Sequence, residues 1–145
     1  MGLAIQLKQR HNAIISGLRD HGLKLTPQRR TIVEILTRDY SHPSAQTVFQ
    51  AARQKHPAIS LSTVYATLAL LKNCRLVSEL EFEGMDNRYD MNTDNHIHLI
   101  CLQCGRIEDY INPAPLLPEV VQKQTGFRIH DSRFEFYGKC HVCAQ

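Results

Sequence analysis

Four of the five cysteines fall into two pairs, Cys101-x-x-Cys104 and Cys140-x-x-Cys143, with 35 residues between the pairs. Two residues between thiols let both sulfurs reach one tetrahedral ion, and two such pairs supply four thiolates. A closed four-thiolate shell leaves no position for water, so the expected occupant is a structural Zn(II) rather than a catalytic one. It would staple the C-terminal tail to the hairpin that carries the first pair. The alternative is two disulfides or four buried thiols. Paired C-x-x-C motifs in a chain with no visible export signal favour metal, because the cytosol keeps thiols reduced. Cys74 stands alone and reads as a small buried hydrophobe.

A second group mixes imidazoles and carboxylates. His96-x-His98 precedes the first cysteine pair. In an extended segment residues i and i+2 share a face, so both rings can reach one ion. Asp90 ends the preceding strand, Asp109 lies on the strand beyond the cysteine turn, and His42 sits in a break before Pro43. Singly, each is the kind of polar residue that is usually just solvated; the metal reading rests on their converging. Such a set suits Fe(II), Mn(II), Zn(II) or Ni(II) rather than Cu(I). If all five meet, the ion ties His42 in the first part of the chain to the second part. Binding would then set the angle between the parts, as a metal-controlled switch requires.

The elements that must position these groups follow from periodicity. Leu3, Leu7, Ile14, Ile15 and Leu18 have helical spacing, with Gly22 as a C-cap. Thr26-Pro27 is an N-cap followed by proline, opening a helix with Ile32, Val33, Ile35 and Leu36 inward. Ser44 caps a third helix from Ala45 to about His56, with Val48, Phe49 and Ala52 inward. Ser60 caps a fourth, Leu61 to about Asn73, with a buried stripe at Val64, Leu68 and Leu71. Ser62, Tyr65, Ala66 and Ala69 lie on its other face. The period then changes to two: Leu76–Phe82 and Asn87–Met91 read as a β-hairpin around Glu83–Asp86. Helices followed by a hairpin are the winged-helix arrangement of helix-turn-helix proteins. Beyond the polar stretch 92–96, Ile97–Leu102 and Arg106–Ile111 read as strands. A short helix with Leu116, Leu117, Val120 and Val121 is stopped by Gly126, and Phe127–Tyr137 alternates as a long strand. The expected fold class is α+β: a winged-helix domain over 1–91, a linker over 92–96 and a small α/β domain over 97–145.

Charge divides along the same line. Residues 1–77 carry eleven Lys/Arg against three Asp/Glu, a balance of +8, and residues 78–145 carry six against eleven, a balance of −5. A basic half suits a polyanion and an acidic half suits cations, although an uneven solvated surface gives the same count. No apolar run is long enough to span a bilayer, and no secretory signal is visible. The expectation is a soluble cytoplasmic protein.

The motifs together resemble the ferric uptake regulator family of bacterial metal-dependent repressors. The resemblance is carried by Gly22–Arg29, His42-Pro43, Ser60–Tyr65, Arg88-Tyr89-Asp90, His96–Gly105 and Tyr137–Cys140. It implies a C-terminal dimerisation domain and a homodimer that binds palindromic double-stranded operators when metal-loaded. It further implies that Leu61–Asn73 is the recognition helix, with Tyr65 at base edges and Ser62 and Thr63 near the backbone. Lys24 resembles a minor-groove residue and Arg29 a phosphate contact. Ala66 stands where the family often has Arg or Asn, which points to a different operator preference. Iron sensors of the family tend to carry Glu where this chain has Asp90 and Asp109. The set His42, Asp90, His96, His98 and Asp109 resembles the peroxide-sensing branch, in which bound Fe(II) reacts with hydrogen peroxide and a ligand histidine becomes 2-oxo-histidine. By that resemblance His42 and His96 are the oxidation targets, and Mn(II) is the alternative regulatory metal. Asn95, Ile97 and Ser132 stand where an additional site of some iron sensors has ligands, and Ile97 cannot bind metal.

Two other classes compete. A metal-dependent enzyme would use open positions of the His/Asp site, but the chain has no nucleophile–base pair and no glycine-rich phosphate loop. A zinc-stapled interaction module leaves the helix-turn-helix pattern and the basic half unexplained. The expectation is a repressor, not an enzyme. A family member that senses iron, manganese, nickel or zinc sufficiency without a redox step is the nearer rival.

Overall fold

The computed structural model describes residues 2–145; the side chain of Leu3, counted in the first apolar stripe, lies outside the described residues. The chain divides into two compact units, Met1–Thr93 and Asp94–Gln145.

In the first unit, α1 (Gly2–Asp20), α2 (Pro27–Arg38), α3 (Ala45–Arg53) and α4 (Leu61–Asn73) precede a hairpin of β1 (Ser78–Leu80) and β2 (Arg88–Asp90). The helix starts follow local chemistry. Thr26, Ser44 and Ser60 have extended backbones, and their hydroxyls accept the N–H groups of Arg29, Thr47 and Thr63. Each thereby satisfies a donor that has no partner inside the helix. At the end of α1, Gly22 has φ +68°. Its N–H donates to Arg19 at 2.8 Å, and that of Leu23 to Leu18 at 3.0 Å. That left-handed close costs a residue without Cβ little.

The apolar faces meet in one core. Ile14, Ile15, Leu18, Ile32, Val33, Leu36, Val48, Ala52, Val64, Leu68, Leu71 and Tyr89 belong to it. Val64, Leu68 and Leu71 are fully buried, each contributing roughly 1.5–3 kcal/mol by leaving water. Ile35 and Phe49, expected inside, are only partly buried; the Arg53 guanidinium covers the Phe49 ring at 5.4 Å. Helix α3 ends at Arg53, short of His56. His56 instead turns back, its Nε2 2.9 Å from the hydroxyl of Thr31.

The second unit is a three-stranded sheet in the order β4-β3-β5 with one helix: β3 (Ile97–Cys101), β4 (Ile107–Tyr110), α5 (Pro118–Thr125) and β5 (Glu135–Gly138). β3 pairs antiparallel with β4 and parallel with β5. The long strand expected over Phe127–Tyr137 is confined to Glu135–Gly138. Alternation alone does not make a strand; a ladder partner does. Only from His98↔Glu135 onward does the chain lie in register beside β3. Earlier, the Ile129 N–H is taken by the Gln122 side chain at 2.8 Å. Helix α5 begins at Pro118, so Leu116 and Leu117 precede it, and it buries none of its residues. Ile111, Phe127 and Phe136 are 76%, 69% and 64% exposed in the single chain. No helix among the described residues is long and apolar enough to cross a membrane. The class is α+β: helices with a hairpin, then a small mixed sheet.

Candidate functional site

The four paired cysteines meet in the second unit. Cys101 ends β3, and the turn to β4 closes through the Gly105 N–H onto the Cys101 carbonyl at 2.9 Å. Gly105 has φ +75°, which only a residue without Cβ adopts readily. Cys140 follows β5, held alongside by the Cys101↔Gly138 register. Each cysteine offers a sulfur, and all four lie within 4.8 Å of one another. Cys104 Sγ and Cys140 Sγ are 3.7 Å apart, close to the edge of about 3.8 Å of a tetrahedron with Zn–S near 2.3 Å. None of the five cysteines is in a disulfide.

Their protonation explains why the cluster suits a cation. The backbone N–H of Cys140, then that of Cys104, pull the Cys101 thiol down to about 6. The N–H of Cys143 lowers Cys140 in the same way. Cys143 is pushed up to about 12, first by its contact with Cys140 and then by burial. Part of the cluster ionises readily, while Cys143 resists because its proton is held against the neighbouring Cys140 sulfur, so the four thiols do not all ionise unaided. A divalent ion removes that conflict.

The imidazoles and carboxylates form one group in each unit. In the first unit, the His42 imidazole Nε2 lies 3.5 Å from Asp90 Oδ2, both side chains being buried. His42 has φ +58°, a conformation uncommon for a residue with a Cβ and found at functional sites. Strand β2 holds it there. Arg88 donates to the carbonyls of Ser41 and His42, and the Tyr89 N–H donates to Pro43 at 3.0 Å. The Asn92 N–H donates to Asp90 Oδ1 at 2.8 Å, which orients that carboxylate.

In the second unit, His98 is paired in register with Asp109. His96 Nε2 is 2.9 Å from His98 Nε2 and 3.2 Å from Asp109 Oδ1, and His98 Nε2 is 3.8 Å from the same oxygen. His96 Nδ1 is 2.7 Å from the Asp94 carbonyl. A carbonyl can only accept, so Nδ1 carries the proton and Nε2 of the neutral ring carries the lone pair, as a metal ligand must. Three donor atoms thus face one small volume.

The outer face of α4 presents Ser62, Tyr65, Ala66 and Ala69 to solvent, with Tyr65 51% exposed. Thr63 is engaged at the cap, its hydroxyl 2.9 Å from that of Ser60. Lys24 is exposed, and its carbonyl accepts from the Arg29 guanidinium at 2.5 Å. Sequence reasoning missed the side chains around Tyr89. Its hydroxyl donates to Glu79, and Glu79 also binds Lys72. The hairpin register, which pairs Glu79 with Tyr89, is the signal that finds them.

Comparison with known proteins gives the same picture. The family model for the ferric uptake regulator family matches residues 20–137. A peroxide-responsive repressor PerR of Staphylococcus epidermidis is 38% identical over 132 residues, covering 90% of this chain and 88% of that protein. Among solved structures, the Helicobacter pylori ferric uptake regulator Fur superposes with a TM-score of 0.72 at 26% identity, over 96% of this chain and 94% of that one. A Campylobacter jejuni peroxide stress regulator superposes with a TM-score of 0.67 at 31% identity, over 89% of this chain and 98% of that one. With the motifs and the fold agreeing over nearly its full length, this chain belongs to the ferric uptake regulator family.

Proposed function

We propose that the protein is a cytoplasmic, metal-dependent, DNA-binding repressor that senses hydrogen peroxide. The observation that carries this reading is the donor set: His42 facing Asp90 in one unit, and His96 and His98 facing Asp109 in the other. Both groups use imidazole nitrogen and carboxylate oxygen, the donors that Fe(II) and Mn(II) favour. One regulatory ion held by all five would join the two units. Cys101, Cys104, Cys140 and Cys143 hold a structural Zn(II) in this reading. Fe(II), when bound, supplies the reducing chemistry by which peroxide oxidises a neighbouring imidazole. His42 and His96 are the targets, and their loss as ligands releases the metal and frees the operator.

The polyanion is double-stranded DNA with a palindromic operator. Tyr65 on the solvent face of α4 would reach base edges in the major groove, with Ser62 and Thr63 near the DNA backbone, Lys24 toward the minor groove and Arg29 at a phosphate. The apolar side chains that α5 and its flanks leave in water support a homodimer. The protein then acts by binding, not as an enzyme.

Peptide mass spectrometry after loading with Fe(II) or Mn(II) and adding peroxide tests the redox step. A one-oxygen adduct on His42 or His96, formed with iron and not with manganese, is the expected result. Unmodified histidines with DNA binding retained would overturn it. The likeness to the Helicobacter pylori ferric uptake regulator favours a second reading. There, iron, manganese, nickel or zinc sufficiency is itself the signal, and the same experiment separates the two.

A further inference from the structure

Asp90 belongs to the donor set, but its neighbour Tyr89 has attachments of its own. Side chains alternate along a strand, so Tyr89 lies on the face of β2 opposite Arg88 and Asp90. Its N–H is bonded to Pro43, next to His42. Its ring is 4% exposed and packs in the core formed with the helices. Its hydroxyl donates to Glu79 Oε1 at 3.0 Å, and Asn87 donates to the same oxygen at 3.1 Å. Glu79 Oε2 accepts from Lys72 Nζ at 2.6 Å, and Lys72 is in the last turn of α4.

The chain of bonds is in the charge state that makes it strong. Burial pushes the Glu79 carboxyl up, but hydrogen bonds from Lys72, Asn87 and Tyr89 outweigh burial and hold it below the usual value. The bond to Glu79 raises Lys72. A carboxylate buried to this degree and bonded on both oxygens has little freedom to move alone.

We propose that Tyr89 and Glu79 are positioning residues that couple the His42–Asp90 half of the metal site to the recognition helix. The inference rests on the metal-gated DNA binding proposed above. An ion that fixes His42 and Asp90 also fixes β2. Through the hydroxyl, carboxylate and ammonium it fixes the C-terminal turn of α4, so part of the ordering needed for DNA is already done. Neither residue touches the metal or the DNA in this scheme.

The test measures coupling rather than affinity alone. The probe is a duplex selected from a randomised pool by the Mn(II)-loaded wild type. Its Kd is measured with and without Mn(II), and the Kd for Mn(II) is measured without DNA, for wild type, Tyr89→Phe and Glu79→Gln. Tyr89→Phe keeps the ring in the core and removes only the hydroxyl. Its Mn(II) Kd and its metal-free DNA Kd are expected to stay within twofold of wild type. The ratio of the two DNA Kd values is expected to fall by about five- to tenfold, the size of one typical intramolecular hydrogen bond. Glu79→Gln, which loses the charge pair with Lys72, should lower the ratio in the same direction. A ratio unchanged within twofold in both variants overturns the coupling, as does equal weakening with and without Mn(II), which marks a purely structural role. A wild-type ratio near one instead overturns the metal-gated reading and the coupling with it.

Discussion

Cys101→Ser is expected to lose its zinc and, with it, the ordered structure of the second unit. That unit buries very few apolar side chains: among residues 94–145 only Ile100, Cys101 and Ile107 are buried hydrophobics. Its helix α5 buries none of its residues. So small a core does not offset the conformational entropy of ordering the segment. The remaining stability must come from a crosslink and from a partner surface. Structural zinc contributes on the order of 10–16 kcal/mol in small zinc modules at neutral pH, which far exceeds what two or three buried side chains supply. Cys101 is also where the cluster is tied to the sheet, its sulfur accepting the Cys140 N–H at 3.3 Å. Zinc content should fall from one per chain to near zero. The proposed dimer should dissociate, and the far-ultraviolet helical signal of the first unit should largely persist. Metal analysis, light scattering and thermal melts check this together. Full zinc occupancy with a wild-type melting temperature would refute the structural role.

Asp109→Ala is expected to separate the two metal sites. Asp109 supplies the carboxylate that faces both His96 and His98. Without it those two rings face each other with no anionic oxygen between them, a set that hard divalent ions bind poorly. Mn(II) affinity should weaken by roughly a hundredfold or more, since even outer-shell losses cost about 10–100-fold. Zinc at the four cysteines should stay. Operator binding should fail at limiting Mn(II) and return in excess. Calorimetric titration with Mn(II), alongside zinc analysis, gives both numbers. Wild-type operator binding at limiting metal would remove Asp109 from the regulatory set.

Local chemistry made much of the fold legible in advance. Thr26, Ser44 and Ser60 announce three helix starts because a hydroxyl before an apolar period satisfies an otherwise orphaned N–H. The spacing of Val64, Leu68 and Leu71 separates the buried face of α4 from its exposed one. The C-x-x-C spacing identifies a four-sulfur cluster because the two-residue gap is itself the geometry of the turn. What depends on partners distant in sequence was harder to read. Phe127–Arg133 alternates like a strand but pairs with no strand among the described residues. The bond from Tyr89 to Glu79 depends on hairpin register, which the turn at residues 81–87 sets and alternation does not. The left-handed backbone of His42 is held by Arg88 from 46 residues away, a contact that nothing local in the sequence announces.

The most direct test of metal-gated, peroxide-released repression is fluorescence anisotropy of a selected operator duplex with the zinc-loaded wild-type protein. The duplex is titrated with Fe(II) or Mn(II) without oxygen and then treated with hydrogen peroxide. The expected result is tight binding with either metal, and release by peroxide from the iron form only. Binding that ignores the metal, or peroxide release that is equal with manganese, would contradict it.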